Sequence, residues 1–289
     1  LLIQDFIKKL LSTNNNYITE NESSVAFSNY VHWIEGLEIQ KSLSYWLKYL
    51  EGYKKTKLMS FKVVELKDNA SLMSVETIVI SEGMLKEIKY ICESFNITQN
   101  IFIMAAWGYL LSKYNNTKDV VFGILVSGRN SEIFGVDRMI GLLANLIPMR
   151  LSYNEKDSIS DILMNLQKSW IDCLYHQNVN FSEIEKSLPE KNPLIDTVLT
   201  FQNFPTNKEL MENQNTEIIQ KKNKSSLELT SSYERLTYDL NIKVKPIINT
   251  LNIEFSYDCM VYNSKKIVSI ANDFKNTIAY FIQRINVNS

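Results

Sequence analysis

His32 and His176 are the only two histidines in this sequence, and histidine is the side chain best suited to move a proton at neutral pH. Either could serve a nucleophile–His–acid arrangement. No residue beside them selects that chemistry, and both read as structural histidines near helix ends. Cys92, Cys173 and Cys259 lie far apart, with no C-x-x-C or His/Cys spacing. The expectation is therefore no metal, no disulfide framework and a reducing cytosol. No G-x-G-x-x-G, P-loop, G-x-S-x-G or H-E-x-x-H pattern occurs. The unusual stretch is "MIGLLANLIPMRL" at 139–151, which places Gly141, Asn145, Pro148 and Arg150 in an apolar run. A buried polar group needs a partner. From the residues alone, Gly141 is expected to admit a close backbone approach, and Arg150 to be a strand-end arginine that snorkels to water.

These residues need elements to hold them. Residues 1–11 read as an amphipathic helix and 25–50 as a second helical region. A polar connection at 51–57 separates them from the rest of the chain. "MSVETIVI" (73–80) alternates like a half-buried strand. Ser81 caps a helix with Leu85, Ile88, Ile91, Cys92 and Phe95 on one face. Thr98 caps another, with Ile101, Phe102, Ala105, Tyr109 and Leu110 on its apolar side. "VVFGILV" (120–126) is a buried strand. Ser158 and Asp161 form a capping box, and "TVLTFQ" (197–202) is a strand before a polar loop at 203–228. "YDLNIKV" (238–244) and "LNIEFSYD" (251–258) alternate and pair around a turn at Pro246–Asn249. Ser264 caps a last helix burying Ile267, Ile270, Ala271, Phe274, Ile278, Phe281 and Ile285. Trp33, Trp46, Trp107 and Trp170 are core. The pattern is a mixed sheet covered by helices, an α/β (α+β layered) architecture.

Charge excludes one class of partner. The 31 basic and 32 acidic residues nearly cancel, so no nucleic-acid footprint is expected. Lys221, Lys222 and Lys224 read as a solvated loop. No apolar run is long enough to span a membrane. The opening "LLIQDFIKKLL" contains Asp5 and no small-residue cleavage site, so it is not a signal peptide. The sequence does not begin with Met, and the expectation is a piece of a longer chain.

Several segments match motifs of one family. "FSNYVHW" (27–33) is similar to Y-x-D-[FY]-A-V-W, and "IGLLANLIPMR" (140–150) to [IV]-G-x-F-V-N-T-x-x-x-R. "HQNVNFSEI" (176–184) is similar to H-Q-D-x-P-F-E, and "LPEKNPL" (188–194) to R-D-x-S-R-N-P-L. "VVFGILVSGRN" and "TFQNFP" (200–205) fit the strands that lead into the neighbouring turns. In this order the set resembles the condensation domains of nonribosomal peptide synthetases, over nearly the whole chain. Phe27, Asn29, Asn178, Asn180 and Lys191 depart from the motifs, mostly by dropping charge. The family's H-H-x-x-x-D-G motif, which carries its catalytic His, is absent from this sequence.

The resemblance implies a chloramphenicol acetyltransferase-like fold. Residues 1–52 would be the tail of an N-terminal lobe with inter-lobe helices, and 53–289 the C-terminal lobe. The catalytic His would lie upstream of Leu1, so the chain alone would be inactive. Arg150 would pair with the Asp of the missing motif, or find a substitute. Gly141, Asn145 and Asn203 would support or line a tunnel, and Tyr238 and Asp239 would belong to a latch between lobes. The implied reaction is amide formation between aminoacyl or peptidyl thioesters. Donor and acceptor carrier proteins would bring them on phosphopantetheine, alongside adenylation domains, other synthetase modules and the N-terminal lobe; no cofactor binds directly. Two readings stay open beside it: a non-catalytic carrier-binding or scaffolding module of the same fold, and another acyltransferase of the superfamily with a different acceptor such as an alcohol.

Overall fold

The computed structural model describes residues 27–53, 73–129, 132–189, 193–202 and 238–288. The helix expected over 1–11, the connection at 54–57, the loop at 203–228 and Asn203 lie outside the described residues.

The elements are α1 (Phe27–Glu35), α2 (Ile39–Tyr49), β1 (Met73–Ile80), α3 (Glu82–Ser94), α4 (Gln99–Tyr114), β2 (Asp119–Val126), β3 (Asn145–Ser152), α5 (Ile159–Tyr175), α6 (Phe181–Ser187), β4 (Thr197–Phe201), β5 (Leu240–Ile247), β6 (Thr250–Asp258) and α7 (Ser264–Asn288). The single helical region expected over 25–50 is two helices, because the chain turns at Gly36–Leu37 before α2.

The strands form one mixed sheet in the order β1-β6-β5-β4-β2-β3. β1/β6 and β5/β6 are antiparallel, and β4 runs parallel to both β2 and β5. Alternation explains its two faces. Leu240, Ile242 and Val244 on β5 and Leu251, Ile253, Phe255 and Tyr257 on β6 are buried, while the residues between them are mostly half-exposed. The register pairs Ile247 with Thr250, so the hairpin turn is Ile248–Asn249, tighter than expected, and Pro246 sits in the strand opposite Leu251. Gln202 N–H donates to the Val244 carbonyl at 2.8 Å, one residue past the Phe201–Val244 pair. The next rung of a parallel ladder would need an amide hydrogen from residue 246, which proline cannot supply.

Helices α3, α4 and α7 pack together, and α7 also packs on β1. The apolar positions expected for α3 and α7 are buried, apart from half-buried Phe95 at the end of α3. α4 differs from its one-faced expectation. Ile103, Met104, Trp107 and Gly108 are buried as well, so this helix is apolar nearly all round. Trp107 meets Phe274 edge-on at 5.3 Å and tilts against Phe255 at 6.3 Å. Trp46 and Trp107 are fully buried, whereas Trp33 and Trp170 are only partly so.

Three helix starts behave as their residues dictate. Ser81 accepts from the Met84 amide and Thr98 from the Ile101 amide. Ser158 and Asp161 bond reciprocally, with Asp161 N–H donating to Ser158 Oγ at 3.1 Å and Ser158 N–H donating to Asp161 Oδ2 at 2.9 Å. The fourth corrects an expectation. Asn263, not Ser264, caps α7, because its Oδ1 accepts from the Lys265 amide at 2.9 Å and its carbonyl already takes two helical bonds.

Contacts divide the described chain into two compact units. One holds 27–51, 125–147 and 173–189; the other holds the remaining described residues, with most of the sheet and helices α3, α4 and α7. One break between the units falls after residue 51. The first unit is discontinuous, however, because later segments fold onto α1 and α2. Tyr30 on α1 joins Ile133, Val136, Met139 and Leu143 in one apolar cluster, and α2 packs on α6.

Candidate functional site

β3 resolves the oddity of the 139–151 run. Ile147, Met149 and Leu151 share one side of the strand and are buried. Arg150 lies on the opposite side by strand period, so a charge sits inside a greasy segment without entering its core. The guanidinium forms a two-point fork with Asp119 at the start of β2. Arg150 Nε donates to Oδ1 and Nη2 to Oδ2, both at 2.7 Å. The two side chains are 19% and 29% exposed, enclosed enough for the pair to be weakly screened. The Tyr53 ring lies 5.8 Å from the guanidinium carbon. Arg150 is thus paired with a carboxylate of this chain.

Asn145, at the other end of the strand, closes a different contact. Its Nδ2 donates to the carbonyls of Gln177 and Val179 at 2.6 and 2.8 Å, and its Oδ1 accepts from the Leu146 amide. One carboxamide therefore ties the 140–150 motif to the 176–184 motif. Gly141 does admit a close approach, but by a ring rather than by backbone. A Cβ there would fall 2.1 Å from the Phe27 ring. This contact joins the 140–150 motif to the 27–33 motif. Phe27 stacks on Tyr30 at 5.6 Å, continuing the same cluster.

The turn before this run carries two residues that pattern reading does not single out. Gly128 has φ +64°, and a Cβ on it would lie 1.6 Å from the Leu143 carbonyl oxygen. Only glycine fits. Next to it, Arg129 Nη1 donates to the carbonyls of Val136 and Met139, the latter at 3.1 Å. Arginine here reaches backbone carbonyls on the far side of the turn. The only signal for it in the sequence is its place in the S-G-R turn.

The two histidines separate. His32 is exposed and lies 3.5 Å from Glu35 one turn on. His176 Nδ1 is 2.9 Å from Ser42 Oγ, its ring stacks on Tyr45 at 4.1 Å, and its carbonyl accepts from Trp46 Nε1 at 3.0 Å. This pins α2 to the 176–184 segment, the structural role expected. Tyr238 and Asp239 precede β5. The Tyr238 carbonyl accepts from Asn241 Nδ2 and the Asp239 carbonyl from the Asp258 amide. Burial first, and then the negative charges of Asp239 and Asp196, hold the Tyr262 phenol above its usual range. Among the described residues no cluster of His, Cys, Asp or Glu could hold a metal ion, and no helix is long and apolar enough to cross a membrane.

The structure thus brings three motif segments, 27–33, 140–150 and 176–184, into contact through Gly141 and Asn145, while Arg150 is held separately by Asp119. A mixed sheet with helices packed on it carries these motifs in this order, in a chloramphenicol acetyltransferase-like fold. The chain belongs to the condensation domain family, whose pattern matches residues 1–288. It is 27% identical to bacitracin synthase 3 of Bacillus licheniformis, over 91% of this chain and 4% of that protein. It is 30% identical to tyrocidine synthase 3 of Brevibacillus parabrevis, over 92% of this chain and 4% of that one. The chain therefore spans a small fraction of the curated relatives it matches. Among solved structures, the first condensation domain of the calcium-dependent antibiotic synthetase, in complex with a substrate analogue, shares its fold. That TM-score is 0.70 at 13% identity, covering 94% of this chain and 57% of that one. The X-domain from teicoplanin biosynthesis does so too, with TM-score 0.70 at 16% identity, covering 89% and 59%.

Proposed function

We propose that this chain serves amide-bond formation in nonribosomal peptide synthesis, as part of a condensation domain working on carrier-bound thioesters. The observation that carries the reading is the joining of three motif segments of the family by Asn145 and Gly141 within a chain that matches the family over nearly its whole length. In the reaction the acceptor amine attacks the donor thioester carbonyl. A C–N bond forms, the C–S bond breaks, and the carrier's phosphopantetheine thiol leaves. Holding two tethered reactants in line supplies much of the rate. The amine proton passes to a base, the histidine of an H-H-x-x-x-D-G motif, which this sequence does not contain. This chain's own residues position: Asn145 fixes the floor segment, and the Arg150–Asp119 fork holds β3 against the start of β2. Asn203, Tyr238 and Asp239 are proposed to line and latch the tunnel, with the sheet unit as the core of the C-terminal lobe.

The test pairs a donor carrier bearing an acyl thioester with an acceptor carrier bearing an aminoacyl thioester. Both are incubated with the intact protein that unites this chain with an H-H-x-x-x-D-G lobe. Mass spectrometry of the acceptor carrier is expected to show the amide, and this chain alone is expected to form none. No transfer by the intact protein overturns the reading. It would favour a scaffolding role, for which the X-domain of the same fold, seen in complex with OxyB, offers a parallel.

A further inference from the structure

A cavity of about 830 Å³ opens within the sheet unit, at the start of α4. It involves none of the residues assigned above to positioning, and small-ligand sites fall in this size range. Its apolar walls come from the Trp170 ring, Phe201 at the end of β4, and Pro246 on β5. Lys89 and Glu93, one turn apart on α3, stand at its rim. Both are exposed, and neither is ion-paired among the described residues. Asn100 also lines the cavity, and its Oδ1 is turned away from solvent with no hydrogen-bond partner. An orphan acceptor has lost its hydrogen bonds to water without replacement. A carboxamide not held by that oxygen can rotate and offer it to a donor in the cavity.

We propose that this cavity binds a free α-amino acid with an aromatic side chain. The side chain lies against Trp170, Phe201 and Pro246, where flat apolar faces favour a ring. The carboxylate faces Lys89, and the ammonium faces Glu93 and the rotated Asn100 oxygen. Each group on the ligand answers one that is otherwise unmatched. A simple anion such as phosphate would meet Glu93, and an apolar molecule would leave both charges and the orphan oxygen unused. A soft metal is poorly served, because burial and the Glu93 charge push the nearby Cys92 thiol up to about 12, leaving it protonated. The inference stands apart from the amide-forming reading, and its test needs no carrier protein.

The experiment labels the full 289-residue chain with 5-fluorotryptophan and assigns the Trp170 ¹⁹F resonance with Trp170→Phe. It then titrates L-phenylalanine, L-phenylalaninamide, N-acetyl-L-phenylalanine and toluene. L-Phenylalanine is expected to shift that resonance saturably, with the amide and the N-acetyl compound each about tenfold weaker, as for loss of one charge-assisted contact. Lys89→Gln should weaken L-phenylalanine about tenfold and leave the amide unchanged. Glu93→Gln should leave the N-acetyl compound unchanged instead. Asn100→Leu should weaken only the ligands that keep the ammonium. Both rim residues are exposed, so their variants fold. No saturable shift, equal shifts by toluene, or variants that fail to separate the derivatives each overturn the proposal.

Discussion

In the sheet unit, α7 buries Ile267, Ile270, Phe274, Ile278 and Phe281 along one face, and the polar groups of the neighbouring strands satisfy one another through the ladder. The smaller unit is held otherwise. Beside an apolar cluster around Tyr30 and a buried Trp46, its separate segments meet at single polar or glycine contacts: Gly128 beneath Leu143, Phe27 over Gly141, Arg129 on two carbonyls and Asn145 on two more. Many interchangeable contacts secure the first unit, and a few irreplaceable ones secure the second. Substitutions should therefore be absorbed differently in each.

The largest effect is expected from Phe274→Ala. The ring is fully buried against Trp107 and Phe255, so its loss should cost about 3–5 kcal/mol. Hydrogen exchange should accelerate across the whole sheet unit. Gly128→Ala puts a methyl onto a carbonyl and a side chain at positive φ, for roughly 2–4 kcal/mol. Its exchange signature should be confined to residues 125–147. If both variants loosen the same amides, the two-unit distinction fails.

Arg150→Met is expected to cost about 2 kcal/mol, because it leaves the Asp119 carboxylate partly enclosed without its fork. The double variant with Asp119→Asn should cost less than the sum of the singles. Additive losses in chemical denaturation would mean that Arg150 leans on other contacts. Asn145→Ala leaves the Gln177 and Val179 carbonyls without that donor and should cost about 1–2 kcal/mol. In the intact protein it should lower the rate of amide formation more than the stability change explains.

Ser158→Ala should cost about 1 kcal/mol as a lost cap. It also has a pH signature. The Ser158 hydroxyl first, and then its backbone N–H, hold the Asp161 carboxyl below its ordinary value. A carboxyl whose folded pKa is depressed stabilises fully above its unfolded value and loses that contribution as pH falls through the folded value. The wild type should lose this small contribution on acidification, and Ser158→Ala should show a flatter profile over the same window.

What can be read from the sequence divides along the same line. The faces of α3 and α7, the alternation of β5 and β6 and the Ser158–Asp161 box are legible, because period and capping act over a few residues. α4 reads as one-faced because a helix packed on all sides has no polar stripe to reveal its orientation. Ser264 stands in for Asn263 because both are good caps and only geometry decides between them. In the smaller unit, Asn145 and Gly141 stand out as misfits in an apolar run, but their partners do not. Gln177 and Val179 lie more than 30 residues from Asn145, and Phe27 is farther still from Gly141. Asp119 is hidden as the first residue of an apolar strand, 31 positions from the arginine it holds. The Ser42–His176 contact spans 134 positions, and no local pattern encodes it.

Pro148 bears on how wide this sheet can grow. Among the described strands β3 is the last in the order, and an imino acid at its centre has no amide hydrogen to offer on the side its nitrogen faces. A chain pairing along that side would find a missing rung midway. The proline that looks out of place among leucines and methionines thus acts as a selvedge, finishing the fabric on the side where it could otherwise keep adding threads.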